Sequence, residues 1–200
     1  MTPTTPATAP APPRRRSAGS FTTRVLLTCA AFAAVQVLVL IGIAPFTATL
    51  AAALPPGYAL VAGLHSLLPF AARHYLGVTG TATLTATIAG FLASPFSPIG
   101  LLLMVPLAVG GAAYDLALAL LARRDGSAVR PLARNVVAGA VAGVALFAVS
   151  LPVFSAEHLI WPMLAATLAA RMAGEIGASV LAARMVGRLR RAGVRSSPSR

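Results

Sequence analysis

The chain of 200 residues has no lysine, a single cysteine and only four acidic residues. Without lysine it has no Walker A motif, which excludes ATP hydrolysis of that kind. Cys29 alone can form neither an intrachain disulfide nor a cysteine-based metal site. The acids are dispersed, whereas phosphate chemistry with a metal needs them clustered. They are Asp115, Asp125, Glu157 and Glu175.

Signatures of catalysis are equally scarce. The histidines, His65, His74 and His158, do not have the spacing of the HExxH zinc motif. The GxSxG motif of a nucleophilic serine does not occur. The sequence therefore predicts a protein that is not an enzyme and that has no catalytic residue, metal site or cofactor.

The overall composition is that of a membrane protein. Hydrophobic residues make up 58% of the chain and charged residues 10%, with a mean hydropathy of +0.83. Soluble domains carry about 25% charged residues. The net charge of +12 does not indicate a nucleic-acid partner, because the basic residues lie in tails and loops beside long apolar runs.

The basic residues, all arginines, are placed in a regular pattern. Fifteen of the sixteen lie in four places, and long apolar stretches and arginine-free loops alternate with them. By the positive-inside rule this alternation predicts six spans with both termini in the cytoplasm. We therefore expect an all-α, six-helix transmembrane bundle in the plasma membrane. The four places are the tail through Arg24, Arg73, the loop Arg123–Arg134 and the tail from Arg184.

Three regions are expected along the chain. Residues 1–20 are rich in Pro, Ala and Thr and then basic, which predicts a disordered cytoplasmic tail. Residues 21–190 form the membrane domain, and 191–200 form a second basic tail. A secretory signal is the competing interpretation, with Arg14–Arg16 as its basic region. However, the apolar run Val25–Phe46 of about 20 residues is longer than a signal core of about 7–15 residues.

Prolines and charges predict the span limits. Thr47–Leu54 is apolar but too short to cross, and we expect it to form a re-entrant or interfacial outer loop. Ser94–Pro98 contains two prolines and is predicted to be an outer turn. The expected spans are Arg24–Pro45, Gly57–Ala72, Val78–Ala93, Ile99–Leu121, Asn135–Ser150 and Trp161–Gly187.

Small residues recur at a spacing of four, as in Ala30–Ala34 and Gly139–Gly143. Such pairs let helix backbones approach closely in lipid. They are compatible with packing among the six helices or with a docking face for another membrane subunit.

Three charged residues are expected deep in the membrane. Arg171 and Glu175 are one helical turn apart and can pair. Counted at 1.5 Å per residue, Asp115 on the fourth span lies near the same depth. An unpaired charge there costs about 3 kcal/mol, so we expect Arg171 to bridge both acids. This cluster is either a structural lock or a functional anchor.

A second polar group is expected in the outer half. Gln36, His65 and Thr87 lie about 12–14 Å or slightly more below the outer surface by the same rise. Tyr58, His158 and Trp161 would surround the opening, together with Glu157. Uncharged polar groups with a few aromatic rings suit a small, planar polar ligand. Alternatively, Gln36 and His65 bond to each other or to the backbone.

Three stretches of the sequence carry a resemblance to a known family. They are Gly80–Gly100, which ends in Ser97-Pro98-Ile99-Gly100; Gly110-Gly111-Ala112-Ala113-Tyr114-Asp115; and Arg171-Met172-Ala173-Gly174. They look like the corresponding stretches of the substrate-binding S components of energy-coupling factor (ECF) vitamin transporters, closest to the thiamine or hydroxymethylpyrimidine type. The resemblance covers most of residues 24–190.

The resemblance implies a transporter subunit that captures a vitamin or vitamin precursor outside the cell. Its implied partners are a T subunit, contacted through Ala30 and Ala34, and ATP-binding cassette ATPases. Asp115 stands where such members tend to carry a glutamate, and Arg171 matches a family arginine. The third span has threonines where members often carry an acid, which leaves the ligand open. The alternatives are a stand-alone secondary transporter of small solutes and a membrane assembly protein without transport activity.

Overall fold

The computed structural model describes residues 21–124, 130–153 and 160–193. Asp125, Glu157, His158 and most of both tails lie outside these ranges. The described residues contain no β-strand and form seven α-helices with short 3₁₀ segments between some of them. The helices are α1 (Thr23–Ala53), α2 (Pro55–Val61), α3 (Leu67–Leu76), α4 (Thr81–Ala93), α5 (Met104–Arg124), α6 (Pro131–Ser150) and α7 (Trp161–Arg191).

These helices make six passes, because α2 and α3 form one pass around the 3₁₀ segment Ala62–Ser66. The all-helical class and the six helices are therefore as predicted. Four of the described helical stretches are long and apolar enough to cross a membrane, and Thr81–Phe96 is a shorter apolar helix. The four are Thr23–Ala51, Gly100–Arg123, Pro131–Ser150 and Trp161–Arg191.

The first helix is longer than predicted. The expected loop Thr47–Leu54 is wrong, because α1 continues through Pro45 to Ala53. Threonine hydroxyls stabilise this stretch: Thr47 donates to the carbonyls of Ile43 and Ala44, and Thr49 donates to that of Pro45. A membrane helix tolerates an internal proline more readily than a soluble helix does. The helix ends immediately before Pro55, which begins α2.

The passes run up and down, so that one end of the bundle collects the start of α1 and the end of α7. We call it the arginine end, because every described arginine except Arg171 lies at or near it. α7 packs on α6, α2, α3 and the 3₁₀ segment, while α4 packs on α1 and α5. The Phe70 ring stacks on that of Tyr114 in the main core, with centroids 3.7 Å apart.

The spaced glycines serve packing within the chain. A Cβ atom at Gly139 would lie 2.8 Å from the Glu175 carbonyl oxygen, and one at Gly143 would lie 2.8 Å from Met172 Cα. The Gly139–Gly143 pair therefore lets α6 and α7 approach backbone to backbone. Of the two alternatives open for this pair, the structure has intramolecular packing.

Candidate functional site

A polar break interrupts the second pass. Pro69 lacks an N–H group and its ring crowds the carbonyl four residues earlier, which disfavours a regular α-helix across this point. The preceding residues form the 3₁₀ segment Ala62–Ser66. Gln36 of α1 closes the resulting gap: its amide donates to the Leu64 carbonyl at 3.2 Å and accepts from the Leu68 N–H at 3.1 Å. An α-helix would have joined these two backbone groups directly.

The broken segment lies against the middle of α7. Gly63 and Gly174 meet with no room for a side chain, since a Cβ atom on Gly174 would overlap the Leu60 carbonyl. This close crossing places His65 and Ser66 beside α7. His65 lies within electrostatic range of Arg171, and the Ser66 hydroxyl lies next to Glu175. The contact therefore brings four polar side chains together inside the bundle.

We call His65, Ser66, Arg171 and Glu175 the central cluster. Glu175 is completely buried, and its Oε1 lies 3.6 Å from Arg171 Nε. Within the described ranges, Arg171 Nε and both carboxylate oxygens lack a well-aligned hydrogen bond, although the Ser66 hydroxyl lies beside the carboxylate as a donor. The predicted Arg171–Glu175 pair is thus present, but its polar atoms retain unused hydrogen-bonding capacity.

Asp115 does not join this cluster, so the prediction that Arg171 bridges both acids is wrong. Asp115 pairs instead with Arg73, with Oδ1 3.0 Å from Nε. Its Oδ2 accepts from the Thr83 N–H and from the Thr83 hydroxyl, each at 2.9 Å. Thr83 lies in the first turn of α4, where backbone N–H groups have no partner within the helix and favour an anion.

Helix geometry gives the reason. Tyr114 and Asp115 are neighbours on α5 and point about 100° apart. Tyr114 faces α7, where its hydroxyl lies 2.8 Å from Ser179 Oγ. Asp115 therefore faces α4 and the end of α3. The estimate of depth gives the position of Asp115 along α5, but it does not give the direction in which the side chain points.

A hydrogen-bonded chain crosses the arginine end beside this pair. Ser179 donates to the Asn135 carbonyl, so the Tyr114 hydroxyl donates to Ser179 and accepts from His74 Nε2 at 2.9 Å. The chain joins α3, α5, α7 and α6. We did not predict it from the sequence; the signal was Ser179, one turn after Glu175 on the interior face of α7.

Arg190 provides a further link at the same end. Its guanidinium donates to the carbonyls of His74 and Tyr75 in the last turn of α3. These carbonyls have no partner within the helix, and a cation there is favoured by the helix dipole. The arginine end is therefore held by several partnered polar contacts.

The predicted ligand-binding residues that the structure describes lie in different parts of the bundle. Gln36 is buried against the second pass, and His65 belongs to the central cluster. Thr87 donates to the Thr83 carbonyl on its own helix. Tyr58 is half-buried, whereas Trp161 is 81% exposed at the start of α7. His158 lies outside the described residues.

The two alanines that are expected to contact a T subunit differ in exposure, and no metal site is expected. Ala34 is exposed on α1 and Ala30 is half-buried. No group of three or more His, Cys, Asp or Glu side chains that could hold a metal occurs within residues 21–124, 130–153 and 160–193.

Comparison with known proteins gives one informative match. No protein-family model and no curated protein matches the sequence. A crystal structure described as an S-component of an ECF transporter has the same fold, with a TM-score of 0.76 over 88% of this chain and 88% of that chain. The two sequences are 21% identical. The matched fold is that of a transporter component and not of an enzyme.

Proposed function

We propose that the chain is the substrate-binding S component of an ECF-type importer. The observation that carries this proposal is the fold, which matches such a component over 88% of both chains. The sequence is compatible with this proposal, because it has no Walker A motif and ATP-driven uptake would need ATPase partners. The partners would be a T subunit and ATP-binding cassette ATPases.

We place both termini in the cytoplasm and the arginine end at the inner face of the plasma membrane. All described arginines except Arg171 belong to that end, and cytoplasmic ends of membrane proteins are enriched in arginine. Reporter fusions at Pro56 and Ser97 should be external, and fusions at His74 and Gly126 internal. An external signal at Gly126 would refute this orientation.

The ligand that suits the central cluster carries N–H groups on a small ring. A buried carboxylate whose neighbours leave room for further donors, such as that of Glu175 beside Ser66 and Arg171, can accept hydrogen bonds from an amino heterocycle. Arg171 and His65 would contact acceptor atoms on the same ring. Thiamine and its hydroxymethylpyrimidine precursor have this chemistry, and we propose a vitamin of that class.

The remaining predicted residues have separate roles in this proposal. Tyr58, Trp161 and His158 would form the approach from the end opposite the arginines, and Thr87 would line it. Gln36 would support the site without touching ligand, since its amide already bonds to the backbone on both sides of the break.

Equilibrium binding to the detergent-purified chain tests the ligand. Thiamine, hydroxymethylpyrimidine and other vitamins should be compared on the parent chain and on E175Q. We expect one of them to bind the parent and to lose about tenfold or more in affinity on E175Q, because a charge-assisted hydrogen bond contributes about 1.5–3 kcal/mol. Binding that is equal on both chains would place the site elsewhere.

Reconstituted uptake tests the partners. Uptake should require the T subunit and ATPases, and A34L should abolish it while leaving ligand binding unchanged, because Ala34 is exposed on α1. A169L, at another exposed alanine on α7, is the control. Uptake by the lone chain driven by a proton gradient would favour the secondary transporter instead.

A further inference from the structure

A groove runs between the start of α6 and the last turns of α7, at the arginine end. Its volume is about 410 Å³. Arg184, Arg188 and Arg191 line it from α7, and Asn135 lines it from α6. Apolar side chains, including Leu132 and Val180, line the same groove. The groove therefore combines a basic row with an apolar wall.

The three arginines form a row on one face of α7, because residues spaced by four and three lie one above another on a helix. All three are exposed. No hydrogen bond or ion pair to another described residue holds any of them, in contrast to Arg190 on the same helix. Like charges at this spacing repel each other, so an anion that lies between them would stabilise the row.

Guanidinium groups bind phosphate oxygens through paired hydrogen bonds. Arg184 precedes the end of α7 by seven residues, which places it about 10 Å further into the bundle than Arg191. The row thus follows the helix from the interface toward the apolar wall. We infer that this groove binds the phosphate group of an anionic membrane lipid, with its acyl chains along Leu132 and Val180.

This inference is independent of the transported ligand, because the groove is built from α6 and the last turns of α7 and shares no residue with the central cluster. It also differs from a general attraction of basic surfaces to anionic lipid. Arg123 and Arg130 are exposed at the same end and do not line the groove. They provide a control with the same charge.

The first test fills the groove without changing its charge. Gly187 lines the groove, and a Cβ atom there would meet only Arg191 Nη1, at 4.0 Å. G187L should therefore fold and block the site. G177L is the matched control on the same helix, because Gly177 is exposed and has nothing within 4 Å of its Cβ position. Retention of phosphatidylglycerol by the purified protein, measured by native mass spectrometry, should fall about tenfold in G187L and stay unchanged in G177L.

The second test changes the charge by the same amount in two places. R184Q/R188Q should lose phosphatidylglycerol binding by about tenfold or more, whereas R123Q/R130Q should retain it. Equal losses in the two double variants, or no loss in G187L, would overturn the inference in favour of diffuse attraction. Inorganic phosphate and glycerol phosphate serve as competitors. Displacement of the lipid by millimolar amounts of either would show a site for soluble phosphate compounds and would also overturn the lipid assignment.

Discussion

Two arginine–acid pairs lie inside the bundle, and their surroundings differ. Asp115 has Arg73 at 3.0 Å and two hydrogen bonds from Thr83. Glu175 has Arg171 at 3.6 Å and no well-aligned hydrogen bond to either oxygen from a described residue. A buried ion pair recovers its desolvation cost only when further hydrogen bonds complete it. Arg73 Nε and Asp115 Oδ1 also lack a hydrogen bond to a described residue, so the difference between the pairs is the two bonds from Thr83 and the shorter ion pair. The first pair is therefore the more complete, and the second has more unused capacity to bind.

The positions of the two pairs support the same division. The Arg73–Asp115 pair joins α3, α5 and the first turn of α4 near the arginine end, beside the chain from His74 to Asn135. The central cluster instead lies where the second pass is broken and Gln36 replaces a backbone hydrogen bond. The regular α-helix is interrupted beside the Arg171–Glu175 pair, and local departures from regular structure are common at functional sites.

The largest effect on stability is expected at the Arg73–Asp115 pair. R73A leaves the Asp115 carboxylate buried without its cation and should reduce the free energy of unfolding by about 3–5 kcal/mol. Unfolding in mixed detergent micelles measures it. R123A, at an exposed arginine on α5, should have little effect. If the two variants unfold alike, Arg73 does not stabilise the bundle.

Removal of the Gln36 amide should have an effect of comparable size, because it leaves two buried groups without partners. Q36L leaves the Leu64 carbonyl and the Leu68 N–H without partners, at about 1–3 kcal/mol for each buried group. The loss should be smaller in a P69A background, because the helix can then close its own hydrogen bonds. An equal loss in both backgrounds would show that Gln36 acts in some other way.

The crossing beside the central cluster is expected to tolerate no side chain. A Cβ atom at Gly63 would overlap the backbone of Gly174, so G63A should cost about 1–3 kcal/mol through overpacking. G177A on α7 meets nothing and should be neutral, or stabilising by up to about 1 kcal/mol. Equal stability of G63A and G177A would mean that the second pass and α7 are further apart.

The smallest effect on stability is expected at the central pair itself. R171Q/E175Q removes both charges together, which should change the unfolding free energy by about 1 kcal/mol or less, yet abolish vitamin binding. R73Q/D115L should cost more, because Thr83 loses its acceptor. A strongly destabilised R171Q/E175Q would make the central pair a structural lock like the first.

The six helices, four of them long and apolar enough to cross a membrane, could be predicted because membrane insertion depends on local composition. Apolar runs and arginine positions can be read from consecutive residues, so this prediction does not require knowledge of how the helices pack. The prediction of a loop at Thr47–Leu54 is wrong because a proline is a strong breaker in a soluble helix, whereas a membrane helix tolerates it and α1 continues.

The partners of the buried charges could be predicted only in part. Arg171 and Glu175 pair within one helix, where spacing alone decides the contact. The partner of Asp115 depends on the rotation of α5 about its axis, which is set by the packing of Tyr114 against Phe70 and Ser179. Likewise, the role of Gln36 depends on a proline 33 residues away in the sequence, on another helix.

The concentration of arginines at one end has a mechanical consequence. The sequence places a single charged residue, Glu157, between α6 and α7 at the other end. Carrying one arginine to the centre of the bilayer costs about 2.5–3.5 kcal/mol on insertion scales. A tilt that moves the arginine end into the bilayer would cost several times this free energy, because that end carries many arginines. A tilt that moves the opposite end inward would bury few charges. If the bundle tilts in the membrane, the arginine end should therefore stay at the membrane surface.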